Sequence, residues 1–122
     1  MKVKIDTKEK LHVITIQEPE LTANMTEQMD KVTTGLLDGN VKNVVLNIQD
    51  IEMIDSAAAG HLLSLQYLFN EHRASFVVCC LQPPVKRFFA DSDLLDRLNF
   101  TPTESEAMDI VQMEELEREF GL

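Results

Sequence analysis

Basic residues and long apolar runs are both scarce in this sequence of 122 residues. Eleven Lys and Arg residues compare with 21 Asp and Glu residues, and the formal charge of -10 argues against binding nucleic acid or an anionic membrane through a broad basic surface. The longest apolar run, 76–81, is far shorter than the roughly 20 residues that a membrane-spanning helix needs. Residues 1–6 contain no apolar stretch of the kind found in a signal peptide. We therefore expect a cytoplasmic protein without membrane insertion.

Cysteine is nearly absent, and the motifs of common catalytic sites are missing. The two cysteines, Cys79 and Cys80, are adjacent, so their Cα atoms lie about 3.8 Å apart, which is too close for ordinary disulfide geometry. We expect both to be reduced and to pack as small apolar residues. The sequence contains no phosphate-binding glycine loop, no C-x-x-C and no H-E-x-x-H, and its three histidines are scattered. It thus predicts no metal, no cofactor and no enzymatic activity, and a nucleophilic role for Ser56 or the cysteine pair is the least favoured hypothesis.

Apolar segments with β-branched residues predict the strands. An apolar content of 44% suffices for the core of one domain, which we expect to span residues 1–122. Residues 3–5 and 11–16 are joined by a polar turn and predict an antiparallel hairpin. The segments that predict further strands, typical of a parallel sheet, are 44–48, 76–81 and 98–100.

Helical spacing of apolar residues alternates with these strands. A first helix is predicted over roughly 23–38, with Asn24 and Glu27 spaced as a capping box. A second helix starts near Ser56, and Pro83-Pro84 opens a third. The residues predicted to form the buried face of the second helix are Ala58, Leu62, Leu65 and Phe69. With a fourth helix at the end, the expected class is α/β, a mixed, largely parallel sheet of four or five strands with an N-terminal antiparallel hairpin and four helices.

The fourth helix is strongly acidic. Thr103 and Glu106 form a capping box ahead of it, and 104–119 contains seven acidic residues and one arginine. The apolar side predicted for this helix comprises Ala107, Ile110, Val111, Met113, Leu116 and Phe120. We favour a solvated outer face for the acidic residues over an acidic docking surface.

Ser56 occupies an unusual position, directly after a short apolar segment and at the first turn of a helix. The first turn of a helix has unpaired backbone N–H groups and the positive end of the helix dipole, which suits a phosphate group. The alternative is an N-cap, in which Asp55 or Ser56 accepts a hydrogen bond from the backbone of Ala58 or Ala59. The local pattern alone favours the N-cap.

Several segments together resemble a known family. The runs 44–48, Met53-Ile54-Asp55-Ser56, 76–79 and 84–89 closely resemble the STAS domains of bacterial anti-sigma factor antagonists. The usual signature of that family is Asp-Ser-Ser/Thr-Gly-Leu-Gly, and Asp55, Ser56 and Gly60 match it. The three alanines between Ser56 and Gly60 do not match, and Ala58 in place of glycine adds a methyl group near the expected approach of a kinase. Asp93 also replaces a glycine that follows the third helix in the family.

The resemblance implies a binding protein controlled by phosphorylation. Ser56 is implied to be phosphorylated by a partner serine kinase that is also the anti-sigma factor, and a serine phosphatase to reverse this. The protein itself is expected to be a monomer, with a sigma factor or a biofilm, secretion or stress pathway as the regulated output. The partner-binding residues implied by the resemblance are Asp55, Ser56, Ala57, Ala58, Gly60, His61 and Ser64, together with Glu20, Leu21, Thr22 and Asn24. The alternative is a STAS accessory subunit of an ABC-type transporter, which binds an ATPase without phosphorylation.

Overall fold

Five strands form one mixed sheet in the computed structural model, which describes residues 1–121. In spatial order they are β1 (Val3–Thr7), β2 (Leu11–Ile16), β4 (Asn43–Asn47), β6 (Phe76–Cys79) and β7 (Phe100–Thr101). Two further strands, β3 (Glu20–Leu21) and β5 (Met53–Ile54), pair in parallel in a small separate sheet. In the larger sheet β1 and β2 are antiparallel and every other neighbouring pair is parallel. The predicted hairpin and largely parallel sheet are therefore confirmed.

Four helices within the described residues cover the two faces of the five-stranded sheet. They are α1 (Thr26–Leu36), α2 (Ser56–Glu71), α3 (Pro83–Asp91) and α4 (Glu104–Glu119), and a 3-10 turn over Ala23–Met25 leads into α1. The larger core cluster lies between one sheet face and α1, α2 and α3, and the smaller cluster lies between the other face and α4. The α/β class is confirmed. None of these helices combines the length and apolar character needed to span a bilayer.

Side chains of β4 alternate between the two faces and hold α4 in place. Val45 belongs to the smaller core cluster, and Asn43 and Asn47 share its side of the strand because side chains two residues apart point the same way. The Asn43 Nδ2 donates to Glu115 Oε1 at 2.8 Å, near one end of α4, and the Asn47 Nδ2 donates to Glu104 Oε2 at 2.9 Å, at the other. The helix is thus fixed at both ends to the same strand.

The predicted faces and N-terminal caps of the helices agree with the structure in some cases and not in others. The four residues predicted to form the buried face of α2 are each at most 1% exposed, which confirms that prediction. Thr103 caps α4 by accepting from the Glu106 N–H at 3.2 Å, but the Glu106 side chain accepts from the Thr103 hydroxyl at 3.1 Å and not from the Thr103 N–H, so the predicted capping box is confirmed only in its N-cap. The capping box of Asn24 and Glu27 is wrong, since no side chain of residues 1–121 caps the 3-10 turn or α1. Asn24 lies within the 3-10 turn and so lacks the extended position that an N-cap residue needs. The helix also ends at Leu36, earlier than predicted.

The predicted apolar side of α4 is wrong for half of its members. Ala107 and Val111 are buried, whereas Met113, Leu116 and Phe120 are 61%, 49% and 69% exposed. A helix turns by about 100° per residue, so Met113 lies about 160° around the axis from Val111. Only the narrow face that carries Ala107 and Val111 reaches the sheet.

Among the described residues, three other than glycine adopt left-handed backbone conformations where elements end. Cys80 (φ 66°) ends β6 earlier than predicted, and Arg73 (φ 57°) follows α2. Asp93 (φ 59°) follows α3 at the position where the resemblance implies a glycine, and it keeps the left-handed conformation. The last strand covers residues 100–101 and not 98–100. Chain reversal at these points is thus achieved without glycine.

Candidate functional site

Ser56 is exposed at the first position of α2, and it is not the residue that caps the helix. Asp55 has the extended conformation of an N-cap residue, and its Oδ1 accepts a hydrogen bond from the Ala58 N–H at 2.9 Å. The sequence left open whether Asp55 or Ser56 caps the helix, and in the structure the N-cap residue is Asp55. The hydroxyl of Ser56 makes no hydrogen bond with any described residue. This hydroxyl is therefore accessible and is not required for the helix to form.

Asp55 also joins two segments of the predicted contact surface that are distant in sequence. Its Oδ2 accepts from the Ala23 N–H at 2.9 Å, and its own N–H donates to the Leu21 carbonyl at 3.2 Å. The pairing of Glu20 with Met53 in the small sheet brings the same segments together. The loop 20–24 and the start of α2 therefore form one continuous surface.

Two backbone donors beside the Ser56 hydroxyl remain open. At the start of α2 the Asp55 N–H is bonded to Leu21 and the Ala58 N–H to Asp55, while the N–H groups of Ser56 and Ala57 have no partner within residues 1–121. Such N–H groups carry the positive end of the helix dipole. The local geometry can therefore accommodate an anionic group on Ser56.

The residues implied for partner binding differ widely in exposure. Those that are exposed are Ser56, Ala57, Ser64, Glu20 and Asn24, and those that are partly buried are Asp55, Gly60, His61 and Thr22. Ala58 and Leu21 are only 1% and 2% exposed. The Ala58 methyl group, expected near an approaching kinase, lies instead in the core because Ala58 shares the buried face of α2 with Leu62. Replacement of the family's glycine at this position therefore leaves the exposed surface unchanged.

His61 connects the site to α1. Its Nε2 atom lies 3.3 Å from Asp30 Oδ1, and the two side chains are 19% and 54% exposed. The alignment is not that of a hydrogen bond, and the Nε2 atom is buried without a hydrogen-bond partner in the described structure. The contact is therefore an ion pair only when the imidazole is protonated.

Sequence reasoning missed three residues of this surface. Ala23 supplies a backbone donor to Asp55, Asp30 lies against His61, and Met53 is 46% exposed beside Glu20. Exposure of Met53 and burial of Ile54 follow the alternation of a strand, but two residues are too few for that pattern to be detected. The other two depend on contacts between distant parts of the chain.

Of the two cysteines, Cys79 lacks the character of a nucleophile. Burial raises the pKa of the Cys79 thiol far above its ordinary value, and a hydrogen bond and charge interaction with Cys80 raise it further. The two Sγ atoms lie 3.6 Å apart, and Cys79 is fully buried. Since the thiolate is the reactive form, Cys79 is unsuited to catalysis. No group of three or more possible metal-ligating side chains converges in the region that the structure covers.

The comparisons with known proteins agree with this architecture. A family model described as "STAS domain" matches residues 2–107. SpoIIAA, an anti-sigma factor antagonist from Bacillus, has a similar structure in its unphosphorylated form, with 23% identity over 91% of this chain and 96% of that chain and a TM-score of 0.71. SpoIIAA has also been solved in its phosphorylated form, with a TM-score of 0.64 and 22% identity over 90% of this chain and 99% of that chain.

Two further solved structures have a similar fold, one in a protein of similar length and one in a much longer protein. A serine-to-glutamate variant of RsbS from Moorella thermoacetica is 18% identical, covering 97% of this chain and 99% of that chain, with a TM-score of 0.76. The murine Solute Carrier 26 family member A9 anion transporter is 16% identical, covering 88% of this chain but 18% of that chain, with a TM-score of 0.71. At these identities the structural likeness establishes the fold. Because the family model matches most of the sequence, the chain belongs to the STAS domain family.

Proposed function

We propose that this chain is a partner-switching regulator of the anti-sigma factor antagonist type. The unmodified form binds a serine kinase that acts as an anti-sigma factor, phosphorylation of Ser56 releases it, and a serine phosphatase restores the binding form. The chain works in the cytoplasm as a monomer and as a binding protein without catalytic activity of its own. The observation that carries the proposal is the exposed Ser56 hydroxyl, which Asp55 leaves unused by capping α2 in its place.

The surface around Ser56 suits both a kinase and a binding partner. Ala57 and Ser64 are exposed on α2, and Glu20 and Met53 are exposed on the adjoining small sheet. Met53 contributes an apolar contact, and Ala57, next to Ser56, is small. A partner can therefore approach the hydroxyl closely.

Phosphorylation of Ser56 adds more negative charge to this surface than the positive end of the helix dipole can neutralise. A phosphate adds about -1.5 to -2 charges, next to the Asp55 carboxylate, on a chain whose formal charge is already -10. The helix N-terminus returns about 0.3 to 2 kcal/mol of favourable interaction. The two open backbone donors let the free protein tolerate the modified side chain.

In the complex the balance is different because the partner excludes water. A phosphate that is desolvated beside Asp55 meets like charge, which costs several kcal/mol. A net cost of about 3 to 4 kcal/mol weakens binding by about two to three orders of magnitude. Such a change suffices to exchange one partner for another.

Binding measurements with substituted Ser56 test the proposal. The partner is first captured on tagged Ser56→Ala protein in its host and identified by mass spectrometry, and it is then titrated by calorimetry. Ser56→Ala should bind like the unmodified protein, and Ser56→Glu, with one added charge, should bind at least about tenfold more weakly. Asn70→Glu, which adds the same charge at an exposed position of the same helix outside the proposed contact surface, is the control and should have a smaller effect. Equal affinities of the Ser56→Ala and Ser56→Glu proteins would contradict the switch.

A second candidate function is suggested by the likeness to the anion transporter. In that case the chain is an accessory subunit that binds the ATPase of an ABC-type transporter. Binding would then not depend on phosphorylation of Ser56. Capture of a transporter ATPase, with equal binding by the Ser56→Ala and Ser56→Glu proteins, would favour this function over the first.

A further inference from the structure

Three large apolar side chains form a stripe along the solvent face of α4. Met113, Leu116 and Phe120 are separated by three and four residues, which places them on one side of the helix over about 10 Å. They are half of the six large apolar side chains that are exposed among the described residues. The same spacing is the anchor pattern by which amphipathic helices bind their partners. We call these three residues the α4 stripe.

The orientation of α4 keeps the stripe in solvent. Besides the bonds from β4, Ser75 Oγ donates to Glu114 Oε1 at 2.6 Å, and Arg118 Nη2 donates to Ser75 Oγ at 3.1 Å and Asn43 Oδ1 at 3.2 Å. The helix ends at Glu119, Phe120 is its C-cap residue, and Gly121 follows at φ 71°. Because these contacts fix the rotation of α4 about its axis, the stripe cannot turn toward the sheet.

Acidic side chains border the stripe. Four of the seven acids of α4 make hydrogen bonds with other side chains of this chain, namely Glu104, Glu106, Glu114 and Glu115. Asp109 and Glu117 are exposed, and each lies four residues from Met113, so both share its face of the helix. On the other side, the groove beside Leu116 is lined by Lys8 and Lys10 as well as by Glu9, Glu115 and Glu119. The stripe is therefore an apolar surface with carboxylates in excess around it and its uncompensated negative charge at Asp109 and Glu117.

We propose that the α4 stripe binds a basic amphipathic helix of another protein. The apolar residues of that helix cover the stripe, and its Lys and Arg side chains pair with Asp109 and Glu117. A second copy of this chain would bring more carboxylates than lysines to the interface, and an anionic membrane would be repelled by the same carboxylates. Basic charge beside apolar anchors is the chemistry that fits.

This surface is separate from the one around Ser56. It lies on α4, which covers the opposite sheet face from α2, and its residues 109–120 lie outside the part of the chain that the STAS model matches. The inference therefore goes beyond the proposed switch. One chain can hold two partners at once, of which phosphorylation controls only the one at Ser56.

A model peptide tests the stripe directly. The probe is a fluorescein-labelled helical peptide of about 18 residues in which leucine and lysine occupy opposite faces. Anisotropy titration should show saturable binding, and amide NMR shifts should concentrate at residues 109–120. Combined Met113→Ser, Leu116→Ser and Phe120→Ser substitutions should weaken binding by about tenfold or more. Tyr67→Ser removes an aromatic side chain of similar exposure from α2, and as the matched control it should leave binding unchanged.

Several results would overturn the inference. Peptide binding that survives the three serine substitutions, with shifts spread over the acidic surface, would mean general charge attraction. Equal binding of a peptide with glutamate in place of lysine would remove the role of Asp109 and Glu117. Concentration-dependent dimerisation abolished by the serine substitutions would assign the stripe to a second copy, and binding to phosphatidylglycerol vesicles would assign it to a membrane. Circular dichroism of each variant verifies that the fold is retained.

Discussion

The two carboxylate oxygens of Asp55 each accept one backbone hydrogen bond, so graded substitution of this residue separates the two contributions. The Asp55→Asn substitution retains Oδ1 as an acceptor for the Ala58 N–H but replaces Oδ2 by an amide group that cannot accept from the Ala23 N–H. The Asp55→Ala substitution removes both bonds. The unmodified protein thus has both hydrogen bonds, the Asp55→Asn protein has one, and the Asp55→Ala protein has neither.

The expected losses follow from the role of each bond. Removal of an N-cap acceptor costs about 0.5 to 2 kcal/mol, and asparagine is as good an N-cap residue as aspartate. The bond to the Ala23 N–H lies at an exposed position and contributes about 0.5 to 1.5 kcal/mol. Asp55→Asn should therefore lower the free energy of unfolding by about 0.5 to 1.5 kcal/mol, and Asp55→Ala by about 1 to 3.5 kcal/mol.

Urea unfolding followed by circular dichroism measures both losses. The control is Asp50→Asn, since Asp50 is an exposed acid in the turn that precedes β5, and this substitution should stay within about 0.5 kcal/mol of the unmodified protein. Equal destabilisation by the Asp55→Asn and Asp55→Ala substitutions would refute the assignment of one bond to each oxygen. No destabilisation by either would refute Asp55 as the cap of α2.

Three further predictions concern other parts of the chain. The pKa of Glu115 lies below its ordinary value because Asn43 and, to a lesser extent, Arg118 donate hydrogen bonds to its carboxylate. The ionised Glu115 therefore stabilises the fold above the ordinary pKa of a glutamate, and this stabilisation is lost as the pH falls through the lowered pKa. Glu115→Gln should flatten the fall of the melting temperature in acid. Ellman's reagent should react with the partly exposed Cys80 well before the buried Cys79, and equal rates would contradict the burial of Cys79. Arg73→Gly should raise the free energy of unfolding by about 0.5 to 1 kcal/mol in a urea titration, because relief of left-handed strain exceeds the entropy cost of glycine; a loss of stability would contradict this.

The fold was predictable where a long apolar pattern determines the element. The apolar run 44–48 is compatible only with a buried strand, and the spacing of the buried residues of α2 is compatible only with a helix. Both elements were identified from the sequence. The strands β3 and β5 were missed because each has two residues, which is too short for any periodicity. The face of α4 was misjudged because a helix with apolar residues on several sides does not reveal which side meets the sheet.

The candidate site was predictable only in part. The position of Ser56 at a helix start followed from local pattern, and its proposed role followed from resemblance. The bond between Asp55 and the Ala23 N–H, and the contact of His61 with Asp30, depend on segments about thirty residues apart, and no local rule indicates such contacts. These long-range contacts are nevertheless what joins the two segments into one surface.

Phosphorylation of Ser56 can be tested directly by the intact mass of the protein purified from its own host, measured before and after phosphatase treatment. If Ser56 is phosphorylated, the spectrum should show a species heavier by one phosphate group, which the phosphatase removes and peptide fragmentation maps to Ser56. The Ser56→Ala protein, expressed in the same host, should lack that species. A phosphate that persists in the Ser56→Ala protein, or a chain that stays unmodified when its partner kinase is present and active, would contradict the account.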